Sequence, residues 1–303
     1  MALRGRRREV AVKTKRIAVM ALAWCVATAA IAVARETAGK EGAAVAGNAP
    51  SATVIVERNA SARGGADAWR KVKSLAATGR IESRTAQDRE MPFSLEQKRP
   101  ASTRFLITAQ SQKSLRVFNG VEGWKVKPDS SGRPDLQPYS SEELRFARDS
   151  QVIDGPLMDD AARKGIITVL GMDVFEGRKN YVLGVKLPSG ANHRVWVDAE
   201  TFLESKFERD VQTSSGRVAV STMVFRDYQR IEGLVMPMTI ETGGDGSRSG
   251  DKLVIERVAI NPELDDRLFE RPPTPTHRRK TVTVDARAAG ATPAAPTSPS
   301  ATP

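Results

Sequence analysis

The sequence predicts a mainly β protein with a few helices, built on an antiparallel sheet. Three observations carry that reading. Apolar and polar residues alternate with period two in several short runs: Met91, Phe93 and Leu95; Tyr181, Leu183, Val185 and Leu187; Val218, Val220, Thr222 and Val224; Leu234, Met236, Met238 and Ile240. Turn residues punctuate these runs, at Asn119-Gly120, Pro188-Ser189-Gly190, Glu232-Gly233 and Gly243-Gly244-Asp245-Gly246. Strong helical patterns are few. Alternation over many short segments separated by Gly and Pro is the pattern of antiparallel strands.

The helical stretches come in two places. Two lead the domain, at residues 51–63 and 66–74, and a third covers residues 140–150. Ser140 stands three residues before Glu143, the spacing of a capping box. Gly64-Gly65 lies between the first two helices. A glycine pair beside Arg63 and Arg70 can cradle a phosphate, but such a loop follows a strand, and here a helix precedes it. Gly64 is therefore read as the left-handed residue that ends one helix. Asp67 favours the positive end of the next. Trp69 and Val72 are expected to pack on a sheet that begins near Leu75. No internal repeat of fixed period is present.

The ends differ from the middle. Arg4, Arg6, Arg7, Arg8, Lys13, Lys15 and Arg16 precede an uncharged, mostly apolar run over residues 17–33, and Ala32-Val33-Ala34 supplies small residues for a peptidase. Residues 1–34 are read as a signal peptide cut after Ala34, which exports the mature chain. The alternative is an uncleaved N-terminal membrane anchor. Trp24 before Cys25 is too bulky for lipoprotein processing, so Cys25 belongs to the discarded helix. Residues 35–50 read as a linker, residues 51–271 as the folded domain, and residues 272–303, rich in Pro, Ala and Thr, as a disordered tail.

Composition excludes several function classes. One cysteine rules out a disulfide framework, and two histidines leave little for zinc or histidine catalysis. The net charge of +11 suggests nucleic acid. However, of 47 basic residues seven lie in 1–34 and four in 272–303, while one of the 36 acidic residues lies in each, so the middle holds 36 basic against 34 acidic. The charge sits outside the domain, and nucleic acid is not an expected partner.

The ordered motifs resemble one family. "ARGGADAWRKVKSLAATGRIE" at 62–82, "VFNGVEGWKVKP" at 117–128, "VWVDAETFLESKFE" at 195–208, "FRDYQRIEGLVMPMTIE" at 225–241 and "NPELDDRLFERP" at 261–272 are similar, in this order, to the LolA/LolB-like outer-membrane lipoprotein-sorting proteins. The resemblance implies an unclosed, strongly curved antiparallel β-sheet, a half-barrel, with helices on the concave face. It also implies a hollow that holds the acyl chains of a lipoprotein in transit.

The residues offer apolar surface and little chemistry. Met236 and Met238 share a face, and methionine adapts to irregular apolar ligands. Phe93, Leu95, Phe105, Ile107, Leu115, Val117, Trp124, Val126 and Trp196 are further candidates for lining the hollow. For each of these, Met236 and Met238 included, ordinary core is the first reading and pocket lining the second. Pro237, Thr239 and Glu241 are expected to look outward. His193 reads as a solvated turn residue and His277 lies in the tail. Glu142 and Glu143 point different ways on a helix. Asp159-Asp160 sits beside a turn, and Asp265-Asp266 is expected to cap the turn that delivers Leu268 and Phe269 to the core. None of these makes an acid–base pair in one pocket. No catalytic residue, metal site or cofactor is expected. Two functions remain: a carrier or sensor for acyl chains of lipoproteins or lipids, or a noncatalytic protein that binds an inner- or outer-membrane envelope partner with its hollow packed. A monomer is expected in both cases.

Overall fold

Thirteen strands pair into one antiparallel sheet in the computed structural model, which describes residues 50–84, 86, 88–110, 112–150, 153–158, 166–212, 218–244 and 250–273. Residues 1–49, which hold the expected signal peptide and nearly all of the expected linker, lie outside the described residues, as do Asp159-Asp160 and residues 274–303, His277 among them.

Two helices come first, α1 (Ala52–Ala62) and α2 (Ala66–Arg70). Six strands follow: β1 (Ser74–Glu82), β2 (Glu90–Lys98), β3 (Ser102–Ala109), β4 (Gln112–Asn119), β5 (Gly123–Pro128) and β6 (Pro134–Pro138). After α3 (Ser141–Asp149) come β7 (Ile166–Phe175), β8 (Arg178–Lys186), β9 (Asn192–Asp198), β10 (Glu204–Gln212), β11 (Val218–Ile231), β12 (Leu234–Gly244) and β13 (Lys252–Ile260). A 3-10 turn at Asp266–Phe269 closes the domain. The sheet order is β6-β5-β4-β3-β2-β1-β13-β12-β11-β10-β9-β8-β7. One meander thus runs from the centre to one edge, and a second runs from the opposite edge back to the centre. They meet where β1 pairs with β13. Among the described residues no ladder joins β6 to β7, so the sheet is not closed into a barrel. Register shifts in the β1–β13, β7–β8 and β9–β10 pairs mark bulges, which bend strands and increase their twist.

The glycine pair ends a helix. Gly64 and Gly65 adopt φ of +102° and +97°, and the Gly65 N–H donates to the Ala60 carbonyl. A Cβ on Gly64 would lie 2.4 Å from the Gly233 carbonyl oxygen, so the junction sits directly on the β11–β12 turn. The Val235 N–H donates to the Arg63 carbonyl and fixes this approach.

The second helix is shorter than its sequence pattern suggests. It ends at Arg70, because the Asn261 carboxamide oxygen accepts from the Lys73 N–H and the Asn261 N–H donates to the Ser74 carbonyl. Those bonds draw residues 73–74 into the ladder with β13. Trp69 and Val72 are buried, each 2% exposed. The Ser140–Glu143 capping box forms in full.

Candidate functional site

Register assigns every strand residue to a face, because directly paired residues project to the same side. Ile81 pairs with both Met91 and Leu253, Ala77 with Leu95, Phe93 with Ile107, Leu95 with Phe105, and Ile240 with Leu253. These residues form one apolar inner surface, continued along β12 by Met238, Met236 and Leu234. On the other half of the sheet Leu183 pairs with Val195 and Val169, and Phe207 with Val195 and Met223, which extends the same kind of surface.

Among the described residues the cover over this inner surface is thin. Trp69 of α2 packs with Leu75, Ala77, Leu234, Met236 and Met238, and Ile153 and Met158 join that cluster. Ile55 of α1 packs with Leu183, Val195 and Phe207, and Leu157 joins that one. Residues 153–158, between α3 and β7, therefore contribute to both clusters. A third cluster, centred on Ile81, Met91, Phe93, Ile107 and Leu253, takes in, among the described residues, only Ala86 from outside the strands.

Polar ties hold the cover in place. Arg63 caps α1 and is buried; its Nη1 donates to the Asp154 carbonyl at 2.6 Å and to Glu204 Oε1 at 3.3 Å. Its guanidinium lies 4.5 Å from the centre of the Trp69 ring, and Trp69 Nε1 donates to the Arg63 carbonyl. Arg99 forks onto both carboxylate oxygens of Asp154 at 2.7 and 2.5 Å and also donates to the carbonyls of Trp69 and Val72. The Tyr228 hydroxyl donates to the Glu204 carbonyl, and burial, reinforced by the Glu204 charge, pushes its pKa well up. Gly155 is required here: its φ is +87°, and a Cβ would lie 2.6 Å from Arg63 Nη1. Arg63, Arg99, Asp154 and Glu204 are scattered along the chain and form no motif. Only the fold brings them together.

The eleven candidate lining residues divide between two faces. Phe93, Leu95, Phe105, Ile107, Met236 and Met238 lie on the inner face. Leu115, Val117, Trp124 and Val126 lie on the outer one, since Leu115 pairs with Leu106 and Val126, and Val117 with Arg104 and Trp124. Trp196 is also outward: it pairs with Val182 and Lys206, donates from Nε1 to Asp173 Oδ2, and carries the Lys206 ammonium 3.5 Å from a ring centre. Period-two alternation shows which residues of one strand share a side, but the face that side joins is set by the turns. On β4 and β5 the inner face carries Phe118, which is buried, and then Arg116 and Lys125, which pair directly. Glu143 of α3 binds both, at 3.2 and 2.8 Å, and is 4% exposed. Beyond Phe118 the apolar floor gives way to an ion-paired polar rim. Burial pushes the Glu143 carboxyl up, yet the Lys125 ammonium, the Ser140 N–H and Arg116 together hold it below the usual carboxylate range.

Other expectations need correction. Thr239 faces away from Met238 but is buried, because β12 runs inside the sheet and Thr239 is flanked by Val254 and by Arg226, whose long side chain reaches Glu176 and Glu241. His193 is a buried residue of β9 with its ring 5.0 Å from that of Phe207, and is not a solvated turn residue. Of the pair delivered by the Asp265-capped turn, Phe269 is buried and Leu268 is exposed. Among the described residues no group of three or more His, Cys, Asp or Glu could hold a metal ion. Four surface crevices, of about 630, 550, 380 and 230 Å³, are lined by other residues than Met236 and Met238.

Comparison with solved structures gives likenesses of the same kind. The chain is similar to a LolA superfamily protein. That protein, from Nitrosomonas europaea, is 17% identical with a TM-score of 0.47, over 73% of this chain and 98% of the other. A DUF1329 family protein from Desulfovibrio piger is 14% identical with a TM-score of 0.48, over 72% and 97%. A domain named for outer membrane lipoprotein sorting, from Vibrio parahaemolyticus, is 14% identical with a TM-score of 0.46, over 71% and 94%. No family model and no curated protein matches the chain. The fold assignment rests on this chain's own strand order.

Proposed function

We propose that this chain is a noncatalytic periplasmic binding protein that carries acyl chains of lipoproteins or lipids against its inner face. The observation that supports this most is the mismatch between floor and cover. The floor is broad, apolar and rich in methionine, with Met91, Met223, Met236 and Met238 among its members. Methionine repacks around irregular apolar partners. Among the described residues the cover is a five-residue helix, α1 and residues 153–158, pinned by a few charge-assisted bonds around Arg63, Arg99 and Asp154. An acyl chain would displace Ile153, Leu157 and Met158 and take over their apolar contacts. The sequence resemblance to lipoprotein-sorting proteins points the same way, and so does the leader-like start, which would export the chain by cleavage after Ala34.

A second reading is favoured by one observation. Met236 and Met238 are each 6% exposed, packed under Trp69. If that packing is permanent, the protein binds an envelope partner through its surface. Titration with a fluorescent fatty-acyl probe separates the two. Saturable, displaceable binding at one or a few sites supports the carrier. Absence of binding to the folded protein supports the partner-binding reading.

A further inference from the structure

The two edges of the sheet are finished in opposite ways. β6 is five residues long, begins and ends with proline (Pro134 and Pro138) and carries Asp135. Prolines and short length are how natural sheets stop an edge from pairing. β7 is ten residues long, IITVLGMDVF, with no proline and no lysine. Ile166, Leu170, Met172 and Val174 are 63, 58, 54 and 64% exposed. They are four of the seven large apolar residues exposed among the described residues. Its single charge, Asp173, is engaged by Trp196 Nε1 and the Val174 N–H.

We infer that β7 is an interface for a second copy of this chain, with the two β7 strands pairing antiparallel about a two-fold axis. The strand's own irregularity supports a self-pair. The register against β8 shifts between Val169 and Gly171. Ile166, Thr168 and Leu170 therefore share the outer face with Asp173 and Phe175, and Ile167 and Val169 share the inner face with Met172 and Val174. An antiparallel self-pair that uses all ten residues sets Ile166 opposite Phe175, Ile167 opposite Val174, Thr168 opposite Asp173, and Val169 opposite Met172. Every such pair lies on one face, which an unbulged strand in this register would forbid. Leu170 and Gly171 meet at the axis. Gly171 has φ of +146°, and nothing lies within 4 Å of where its Cβ would be, which leaves room for the partner's Leu170.

The buried area approaches that of the smallest specific interfaces. Burying an aliphatic side chain removes roughly 100 Å² of apolar surface. Four such residues on each copy give about 800 Å², and the paired main chains bring the total towards the ~1,200 Å² at which specific interfaces begin. The pairing replaces the expectation of a monomer, and it is independent of what the inner face binds.

The test uses the exported chain. Sedimentation across a concentration series should show a dimer. Met172→Lys and Val174→Lys together should raise its dissociation constant at least tenfold while the thermal melt of the fold is retained, since both side chains are more than half exposed. The double variant Val169→Cys/Met172→Cys should form an intermolecular disulfide on mild oxidation, because opposed strand residues lie within disulfide reach. Ile167→Cys/Met172→Cys, out of register, should not. A monomer at all concentrations would overturn the inference. So would a dimer that survives the lysine pair, or equal cross-linking of the two cysteine pairs, since the interface then lies elsewhere.

Discussion

Replacing Gly64 by alanine tests the junction on which the cover is built. Two costs act there. Gly64 holds φ of +102°, where an L-residue loses about 1–2 kcal/mol. The new Cβ would also stand 2.4 Å from the Gly233 carbonyl oxygen and 3.3 Å from the Gly233 carbonyl carbon and Leu234 Cα. All three are backbone atoms of a turn tied to Arg63 through the Val235 N–H, so they cannot rotate away. Overpacking of this kind costs about 1–3 kcal/mol. Gly64→Ala should therefore lose about 2–5 kcal/mol. Gly65→Ala is the internal control: its φ is +97° and ψ 138°, but nothing lies within 4 Å of its Cβ, so only a backbone strain of about 1–3 kcal/mol applies, without the added overlap. Thermal denaturation reads the difference at roughly 2–4 °C per kcal/mol for a domain of this size. Equal losses in the two variants would refute the steric contact, and with it the docking of the α1–α2 junction on the β11–β12 turn.

Trp69→Ala should destabilise the fold by about 3–5 kcal/mol in urea denaturation, since the ring is buried, donates to the Arg63 carbonyl and lies under its guanidinium; a loss below about 1 kcal/mol would contradict that placement. Glu143→Gln should cost about 3 kcal/mol at pH 7, because Arg116 and Lys125 lose their shared counter-ion. The folded pKa of Glu143 is depressed, so its contribution is complete above the ordinary glutamate value near ~4.3 and is lost as pH falls through the folded value. The variant's stability should then fall less than the wild type's between pH 5 and pH 2, whereas parallel curves would contradict the pairing. Truncation after Pro272 should leave the melting temperature within a few degrees, because Phe269 is the last described residue to be buried; a large loss would show that the remaining segment docks.

Much of the sheet was legible because period-two patterning survives wherever one face is buried. Tyr181 to Leu187 and Leu234 to Ile240 read correctly as strands with an apolar side. The helix break at Gly64-Gly65 and the Ser140–Glu143 cap were legible for a different reason, since both are local chemistry of three or four residues. The division of faces was not legible. Trp124 and Trp196 are the most apolar-looking candidates, yet they sit on the outer face, because the turn before each strand decides which way its pattern points. The polar ties were also hidden. Asp154 and Glu204 are single acids without neighbours of similar kind, and their meeting with Arg63 and Arg99 depends on the chain crossing the sheet. The burial of Thr239 and His193 follows from position within a wide sheet, which no local pattern records.

The central claim is that an acyl chain lies on the inner face, against Met236 and Met238. A photoreactive fatty-acyl probe, cross-linked to the folded protein and mapped by peptide mass spectrometry, tests it most directly. Label should fall on peptides carrying Met236, Met238, Phe93 or Met158, be displaced by excess unlabelled acyl chain and be abolished in a folded Met238→Glu variant, where a charge would have to be desolvated beside the ligand. Label confined to Leu115, Val117, Trp124, Val126 or Trp196, or label unchanged in Met238→Glu, would contradict it.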